Sequence, residues 1–184
     1  MLFRETGLPG AYIIELEKRG DERGFFARAF CQREFGNAGL ATGVVQVNNS
    51  LTAERGTLRG LHYQLAPHAE TKIVRCIRGA IWDCILDLRP DSTTFGKWFG
   101  AELSAENRHT MYVPKGFAHG FITLTGNAET FYLVDEFYAP QSERIVRWND
   151  PKFAVRWPIA PTVISEKDAA APDFSPAHHL GSER

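Results

Sequence analysis

The sequence predicts an all-β domain, built as an antiparallel sandwich or barrel with a few short helices. Two observations lead to this prediction. Apolar and polar residues alternate with a period of two in many short runs, which is the pattern of strands that bury one face. Glycine, proline, asparagine and aspartate separate these runs at near-regular spacing, as the turns of a sandwich do.

The alternating runs are the predicted strands. Residues 81–88, IWDCILDL, are an example, because Asp83, Ile85 and Asp87 share one face and apolar residues fill the other. Similar runs predict further strands at 11–17, 44–51, 72–78, 110–114, 119–125 and 129–138. Turn residues separate them, for instance at 89–91, 114–116 and 125–127.

Helix is predicted at two places only, 31–39 and 103–108, with Ser104 as the N-cap candidate of the second. A chain of 184 residues without an internal repeat or linker suits one domain. We expect that domain over residues 1–168 and a loose C-terminal tail over residues 169–184.

Composition and charge exclude several classes of function. The net charge of −1 leaves no basic surface for nucleic acid or an anionic membrane. No run approaches the roughly 18 apolar residues of a membrane span, and the first residues lack the features of a signal peptide. Cys31, Cys76 and Cys84 are odd in number and lack C-x-x-C spacing, so we expect no disulfide framework, no zinc site and a cytoplasmic location.

Five clusters of polar and aromatic residues carry the candidate chemistry. The central cluster is LRGLHYQ, which contains Arg59 and His62 and is followed by Lys72 at the start of a predicted strand. The other clusters are DERGFF (21–26), QVNNS (46–50), PKGFAHGF (114–121) and the segment 132–138 with Glu143 downstream.

These clusters resemble the dTDP-4-dehydrorhamnose 3,5-epimerase family over nearly the whole chain. Further matching pieces are DLRPDSTTFGKW (87–98), LSAEN (103–107), WNDP (148–151) and SEKD (165–168). The resemblance implies a cupin-like jelly roll, that is, a double-stranded β-helix, without metal or cofactor. It also implies a homodimer that exchanges N-terminal strands, and epimerisation of a nucleoside-diphosphate 4-keto-6-deoxy sugar at C3, C5 or both, in deoxysugar and cell-surface polysaccharide biosynthesis.

The resemblance implies roles for particular residues. His62 matches the family's base, Tyr132 matches the opposing acid, and Lys72 matches the lysine near the C4 oxygen. Asp168 matches the aspartate that orients the histidine. The residues that match nucleotide and sugar contacts are Arg23, Phe25, Gln46, Asn48, Arg59, His119, Glu143 and Lys167, together with Tyr138, which matches the aromatic stacked on the base.

The chemistry of these side chains supports the same roles. A carbon beside a ketone loses its proton when a base faces it and a cation meets the enolate oxygen, tasks that suit His62 and Lys72. Inversion also needs a donor on the opposite face, which the phenol of Tyr132 supplies. A buried carboxylate at Asp168 or Asp83 would fix the tautomer of His62 and favour its charged form.

Some of these residues have structural alternatives. Arg23 and Arg59 offer planar forks that match a pyrophosphate, but Arg23 also suits a turn before Gly24. His119 also suits a packed core. Asp83 either supports the site or forms a structural ion pair, and Asp87 is predicted to be structural.

A metal site is the main alternative chemistry. Metal-binding cupins carry two histidines one residue apart, then a glutamate, and a later histidine in a P-x-G-x-x-H motif. This sequence keeps His62, Glu70 and His119 at those positions, but Gln64 replaces the second histidine, and an amide is a poor ligand beside imidazole. We therefore expect no metal. A metal-dependent cupin enzyme and a non-catalytic sugar-nucleotide binding module are the alternatives.

Four positions depart from the family pattern. Arg28 stands where an acidic residue is usual, Leu133 where a lysine often follows the tyrosine, Phe137 where a tyrosine is usual, and Glu70 where glutamine is common. None of them removes the base, the acid or the lysine. They leave three properties of the substrate and reaction open. The nucleotide is dTDP, GDP or CDP, the sugar is a 6-deoxyhexose or another keto sugar such as a heptose, and one or two carbons are inverted. We predict an isomerase.

Overall fold

The computed structural model describes residues 1–181 and consists mainly of short strands. The strands are β1 (Leu2–Glu5), β2 (Tyr12–Glu15), β3 (Arg19–Asp21), β4 (Gly24–Phe26), β5 (Gln46–Thr52), β6 (Thr57–Gln64), β7 (Lys72–Arg78), β8 (Ala80–Asp87), β9 (Trp98–Ser104), β10 (Thr110–Val113), β11 (Phe117–Thr123), β12 (Ala128–Val134), β13 (Glu143–Ile145) and β14 (Val163–Ile164). The helices are α1 (Gln32–Asn37), α2 (Glu166–Ala169) and α3 (Pro176–Leu180), with a 3-10 turn at Pro140–Ser142.

The strands form two sheets, and the prediction of an all-β jelly roll is confirmed. Sheet 1 has the order β1-β2-β10-β7-β12-β5, and sheet 2 has the order β13-β6-β11-β8-β9 with β14 added beside β6. Every pairing is antiparallel except that of β14 with β6. Strands β3 and β4 make a separate ribbon. The helix expected at 103–108 is absent, because β9 runs to Ser104 and a turn follows.

The main core lies between the two sheets. Sheet 1 contributes Val74 and Met111, and sheet 2 contributes Ile85 and Phe121, all of them buried in one apolar cluster. These residues come from alternating positions of their strands, so the period-two pattern in the sequence directly selects the faces that meet.

The outer face of sheet 2 is covered by the C-terminal segment. Tyr63 and Phe153 pack there with Phe174, and the Tyr63 hydroxyl donates a hydrogen bond to the carbonyl of His179 at 2.7 Å. His179 is fully buried, and its Nε2 donates to the carbonyl of Ile145 at 3.1 Å. Residues 171–180 therefore pack against the domain, which differs from the expected loose tail, because two aromatic rings anchor them.

The outer face of sheet 1 is covered only in part. Phe35 of α1 packs on Ile14 and Tyr112. At the β5 edge, Val47 and Leu51 are 54% and 56% exposed. Exposed apolar side chains on an unpaired edge strand are typical of a surface that associates with another chain.

The turn between β8 and β9 contains a buried carboxylate. Asp87 accepts hydrogen bonds from Arg89, Ser92 and Thr94 at 2.6–2.9 Å. Burial alone would raise the pKa of Asp87, but these hydrogen bonds outweigh it and lower the pKa to about 2. Asp87 thus stabilises the turn, as predicted.

Across residues 1–181 no helix has the length and apolar character needed to cross a membrane.

Candidate active site

A cleft between the two sheets brings the predicted catalytic residues together. Arg59 and His62 on β6 and His119 on β11 line it from sheet 2, and Lys72 on β7 and Tyr132 on β12 line it from sheet 1. The space among these side chains, counted to its open mouth, is about 590 Å³.

His62 is held by a buried aspartate. Asp168 Oδ1 lies 2.6 Å from His62 Nε2, and Asp168 Oδ2 accepts a hydrogen bond from the Gly60 backbone N–H at 3.2 Å. Ser165 caps α2 by accepting from the Asp168 N–H, which fixes the start of that helix. Because a carboxylate accepts, Nε2 of His62 carries the proton and Nδ1 keeps its lone pair.

The environment keeps Asp168 ionised. Burial would raise its pKa, but the hydrogen bond from His62, the positive charge that His62 acquires, and the N–H of Gly60 together lower the pKa below its usual range. His62 therefore has a carboxylate at Nε2 and a lone pair available on Nδ1, which is the arrangement of a general base.

Two glycines allow β6 and β11 to approach closely at the cleft. Gly60 has φ +126°, and a Cβ there would lie 2.5 Å from Gly120 Cα. A Cβ on Gly120 would in turn lie 2.6 Å from the carbonyl oxygen of Arg59. Neither position accepts a side chain, and the close approach sets His62 opposite His119 in the pairing of the two strands.

The sheet 1 wall carries a lysine, a phenol and a nearby carboxylate. Lys72 Nζ lies 3.1 Å from Glu70 Oε1, and the two side chains are only 12% and 14% exposed. Burial raises the pKa of Tyr132, the charge of Glu70 raises it further, and Arg59 opposes this. Tyr132 therefore remains a proton donor. Sequence reasoning gave Glu70 no role in catalysis.

His119 has its own aspartate. Its Nε2 lies 2.8 Å from Asp83 Oδ1. Asp83 is fully buried, and among residues 1–181 its Oδ2 has no hydrogen-bond partner. The sequence left two carboxylates as candidates for orienting His62; in the structure Asp168 pairs with His62, and Asp83 pairs with His119.

Gln64, which stands at a ligand position of metal-binding cupins, is occupied elsewhere. Its Nε2 donates to the carbonyls of His68 and Phe137 at 2.8 and 3.2 Å, and its Oε1 accepts from the Ala139 N–H at 2.5 Å. Gln64 thus ties two loops together. Among residues 1–181, no group of three or more His, Cys, Asp or Glu side chains is arranged to hold a metal ion.

The predicted contacts for the nucleotide and sugar gather at the rim of the cleft. Glu143 Oε2 lies 2.5 Å from Lys167 Nζ and accepts from the Tyr138 hydroxyl at 3.1 Å. Gln46 Oε1 accepts from the Tyr138 N–H at 3.1 Å. Asn48 lies opposite Tyr132 in the pairing of β5 with β12. Burial would raise the pKa of Glu143, but Lys167 and Tyr138 hold it below its usual value.

Two predicted contacts do not reach this cleft. Arg23 is 82% exposed and bonds Asp21 on the β3–β4 ribbon at 2.5 Å. Phe25, on the same ribbon, lies under the cationic groups of Lys18 and Arg108, 5.3 and 4.8 Å from its ring centre. Within one chain, these two residues stay apart from the base and the phenol.

The jelly-roll cleft sets His62 of sheet 2, held by Asp168 of α2, against Lys72 and Tyr132 of sheet 1, and this arrangement is that of an isomerase of the cupin type. Comparison with known proteins narrows the class. The chain belongs to the dTDP-4-dehydrorhamnose 3,5-epimerase family, whose model matches residues 5–176.

Individual relatives are similar over nearly their whole length. The dTDP-4-dehydrorhamnose 3,5-epimerase of Shigella flexneri is 43% identical over 177 residues, covering 96% of this chain and 97% of that one. The crystal structure of the Elizabethkingia anophelis enzyme of the same name superposes with a TM-score of 0.91 at 44% identity, covering 95% and 96%. A third structure is that of a 3'-monoepimerase from Streptomyces bikiniensis, solved with dTDP as a double variant (histidine to asparagine, tyrosine to phenylalanine). It superposes with a TM-score of 0.87 at 34% identity, covering 97% of this chain and 90% of that one.

Proposed function

We propose that this chain is an isomerase that inverts C3 and C5 of dTDP-4-dehydro-6-deoxyglucose to form dTDP-4-dehydrorhamnose, a step of dTDP-rhamnose biosynthesis. One observation carries the proposal: His62, backed by Asp168, and the phenol of Tyr132 line one cleft from opposite sheets. Inversion needs a base and a donor on opposite faces of the sugar. The relatives are named for dTDP-4-dehydrorhamnose, which supports the choice of nucleotide and sugar.

Proton removal falls to His62. Its Nδ1 takes the proton from the carbon beside the C4 ketone, and the new positive charge on the ring is stabilised by Asp168. The electron pair moves onto the C4 oxygen to form an enolate. Lys72 donates a hydrogen bond to that oxygen from sheet 1, in a site where low exposure strengthens the interaction.

Proton return falls to Tyr132. Its hydroxyl gives a proton to the same carbon from the other face, so the configuration inverts and the enolate returns to a ketone. The phenolate regains a proton from water at the cleft mouth, and His62 loses its extra proton in the same way. C3 and C5 both flank C4, so one pair of residues serves both carbons.

The proposed nucleotide contacts are the remaining cleft and rim residues. The planar fork of Arg59 suits the pyrophosphate. The exposed ring of Tyr138 offers a stacking surface for the base, and Gln46 and Asn48 offer hydrogen bonds from β5. Glu143, Lys167 and His119 complete the set.

We also propose that the protein works as a homodimer. The exposed Val47 and Leu51 of β5 and the exposed Phe25 and Phe26 of the ribbon support a contact between copies. Sedimentation equilibrium is expected to give twice the chain mass of 20.7 kDa. A variant with Val47→Glu and Leu51→Glu is expected to sediment as a monomer, and a wild-type monomer would refute the proposal.

Arg23 is proposed to serve the cleft of the second copy. Mixing two inactive variants tests this. Arg23→Ala and His62→Asn are each expected to inactivate their own homodimer. In a mixed dimer the Arg23→Ala chain has an intact His62, and its neighbour supplies Arg23, so one complete cleft is restored. Activity should recover in the mixture if Arg23 acts across the dimer, and should stay absent if it acts within its own chain.

The cytoplasm is the proposed compartment. The structure has free thiols at Cys31, Cys76 and Cys84, which suits a reducing environment. Burial raises the pKa of both the Cys76 and Cys84 thiols, so neither is readily oxidised. Cell fractionation with the activity as marker tests this, and recovery of the activity in a periplasmic or membrane fraction would contradict it.

The direct test of the function is proton NMR in D₂O with dTDP-4-dehydro-6-deoxyglucose as substrate. The signals of the C3 and C5 hydrogens should both disappear, and the product should be dTDP-4-dehydrorhamnose. Loss of one signal would instead indicate a monoepimerase, like the Streptomyces bikiniensis relative. Absence of any exchange would refute the proposal. His178→Asn, at an exposed position, is the matched control for changes at His62.

A further inference from the structure

Glu70 is paired with Lys72, and its charge raises the pKa of Tyr132, yet it has no part in the mechanism described above. We propose that Glu70 is a positioning residue: it fixes the Lys72 ammonium in the cleft and provides a negative charge beside Tyr132 that keeps the proton donor ready. This inference rests on the proposed function and extends it to the acid side of the cleft.

The contact with Lys72 is short and shielded from water. Glu70 lies two residues before Lys72, which begins β7, and the two side chains meet in an ion pair. Glu70 Oε1 and Lys72 Nζ are 3.1 Å apart, and each side chain is less than 15% exposed. Within residues 1–181, Glu70 is the one carboxylate paired with Lys72.

A lysine needs such a partner in order to act on one oxygen atom. Its ammonium is a compact charge on a flexible four-carbon stem, so an unsupported lysine samples many positions. The ammonium has three donors, and Glu70 uses one of them. The others remain for the enolate oxygen, so the ion pair and the catalytic contact exist together.

Glu70 also balances the charge around Tyr132. Burial raises the pKa of the phenol most, the Glu70 carboxylate raises it further, and Arg59 lowers it. Four groups that line the cleft are cationic when ionised and favour loss of the phenol proton: Arg59 and His62 on β6, Lys72 on β7 and His119 on β11. The carboxylates of Asp168 and Asp83 are paired with the two histidines, at 2.6 and 2.8 Å.

Two substitutions separate the positioning effect from the charge effect. Glu70→Gln keeps an oxygen that accepts from Lys72 but removes the charge. Glu70→Ala removes both. We expect Glu70→Ala to lower kcat roughly tenfold with little change in KM, because the ammonium is misplaced but the nucleotide contacts remain. Glu70→Gln should restore most of kcat near neutral pH.

The charge effect appears in the pH profile. A donor must be protonated, so kcat falls on the alkaline side as Tyr132 ionises. Glu70→Gln should move that alkaline limb to lower pH, because the negative charge that opposes ionisation of the phenol is removed. The control is Glu129→Gln, on the same strand as Tyr132 but bonded to Asn49 outside the cleft. It removes an equal charge and should leave the limb in place.

A measurement that does not need turnover completes the test. The ultraviolet absorbance of phenolate, taken as the difference between the protein and its Tyr132→Phe variant, follows the titration of Tyr132 alone. The midpoint should fall in the Glu70→Gln background and stay fixed in the Glu129→Gln background. An unmoved midpoint, or a Glu70→Ala variant with wild-type kcat, would overturn the inference. If the wild type exchanged no hydrogen, the proposed function would fail, and the titration would still decide the role of Glu70.

Discussion

Replacing Asp168 by asparagine should disable His62 while keeping the size and shape of the side chain. Asp168 uses both oxygens as acceptors, one for the Nε2 proton of His62 at 2.6 Å and one for the Gly60 N–H at 3.2 Å. Asparagine has one acceptor oxygen and a donor amide. If the oxygen stays with Gly60, the amide faces His62, and the ring must carry its proton on Nδ1, where the base is needed.

The magnitude follows from the contact that is lost. A hydrogen bond to a charged group contributes about 1.5–3 kcal/mol, and each 1.36 kcal/mol in the barrier is tenfold in rate. Loss of that contact alone lowers kcat by roughly 10- to 150-fold. A full change of tautomer costs more, about 10⁴-fold where an aspartate–histidine pair of a serine protease was altered in the same way. We expect kcat of Asp168→Asn to fall by about 10²- to 10⁴-fold.

The second histidine–aspartate pair provides the matched control. Asp83 accepts from His119 through Oδ1 at 2.8 Å, and its Oδ2 has no partner in the part of the chain that the structure describes. An asparagine at Asp83 keeps the acceptor and places its amide where an unpaired oxygen stood. We expect kcat of Asp83→Asn to fall about tenfold or less.

The assay is the rate of hydrogen exchange at C3 and C5 in D₂O at saturating substrate, with circular dichroism to confirm that each variant is folded. The reasoning requires Asp168→Asn to be at least about tenfold slower than Asp83→Asn. A folded Asp168→Asn variant within threefold of the wild type would refute it, and so would equal losses in the two variants.

Three further predictions concern stability. Asp87→Asn should lower the unfolding free energy by about 2–3 kcal/mol at pH 7. Because the pKa of Asp87 is lowered to about 2 in the folded protein, the full difference from the wild type should appear above about pH 4 and vanish as the pH falls through 2. Urea unfolding at several pH values would test this. Gly60→Ala should cost at least about 3 kcal/mol, since φ is +126° and the Cβ meets Gly120 at 2.5 Å; a loss under about 1 kcal/mol would contradict this. His179→Ala should cost about 2–4 kcal/mol and expose the C-terminal segment to limited proteolysis, and a segment that stayed resistant would argue against its role as an anchor.

The alternation of residues was enough to predict the sheets, because strand faces follow directly from a period of two. The alternation did not predict which charged side chains, distant in sequence, form pairs in the folded chain. Asp168 lies 106 residues from His62, and Asp83 lies 36 residues from His119. Only the order of strands in sheet 2 and the position of α2 decide which carboxylate meets which ring. Resemblance to a family predicted the first pair; the residues by themselves left it open.

Other differences between the predicted and the observed structure have local causes. The C-terminal segment lacks periodicity and is rich in alanine and proline, so nothing in the pattern indicates that Phe174 and His179 are anchors. Glu70 stood out in the sequence as a candidate metal ligand. Its pairing with Lys72 was not predicted, because Glu70 lies outside both the predicted strand at 72–78 and the observed β7. Arg23 matched the family motif, but it lies at the separate β3–β4 ribbon, away from the base and the phenol of its own chain.

The central claim is that base and acid act from opposite sheets, and deuterium exchange in two variants tests it most directly. With Tyr132→Phe in D₂O, His62 still removes the C3 hydrogen and returns deuterium to the same face, so exchange should occur with retention of configuration. With His62→Asn, neither exchange nor inversion should occur. The account would be contradicted if His62→Asn exchanged hydrogen at the wild-type rate, or if Tyr132→Phe inverted C3 as fast as the wild type.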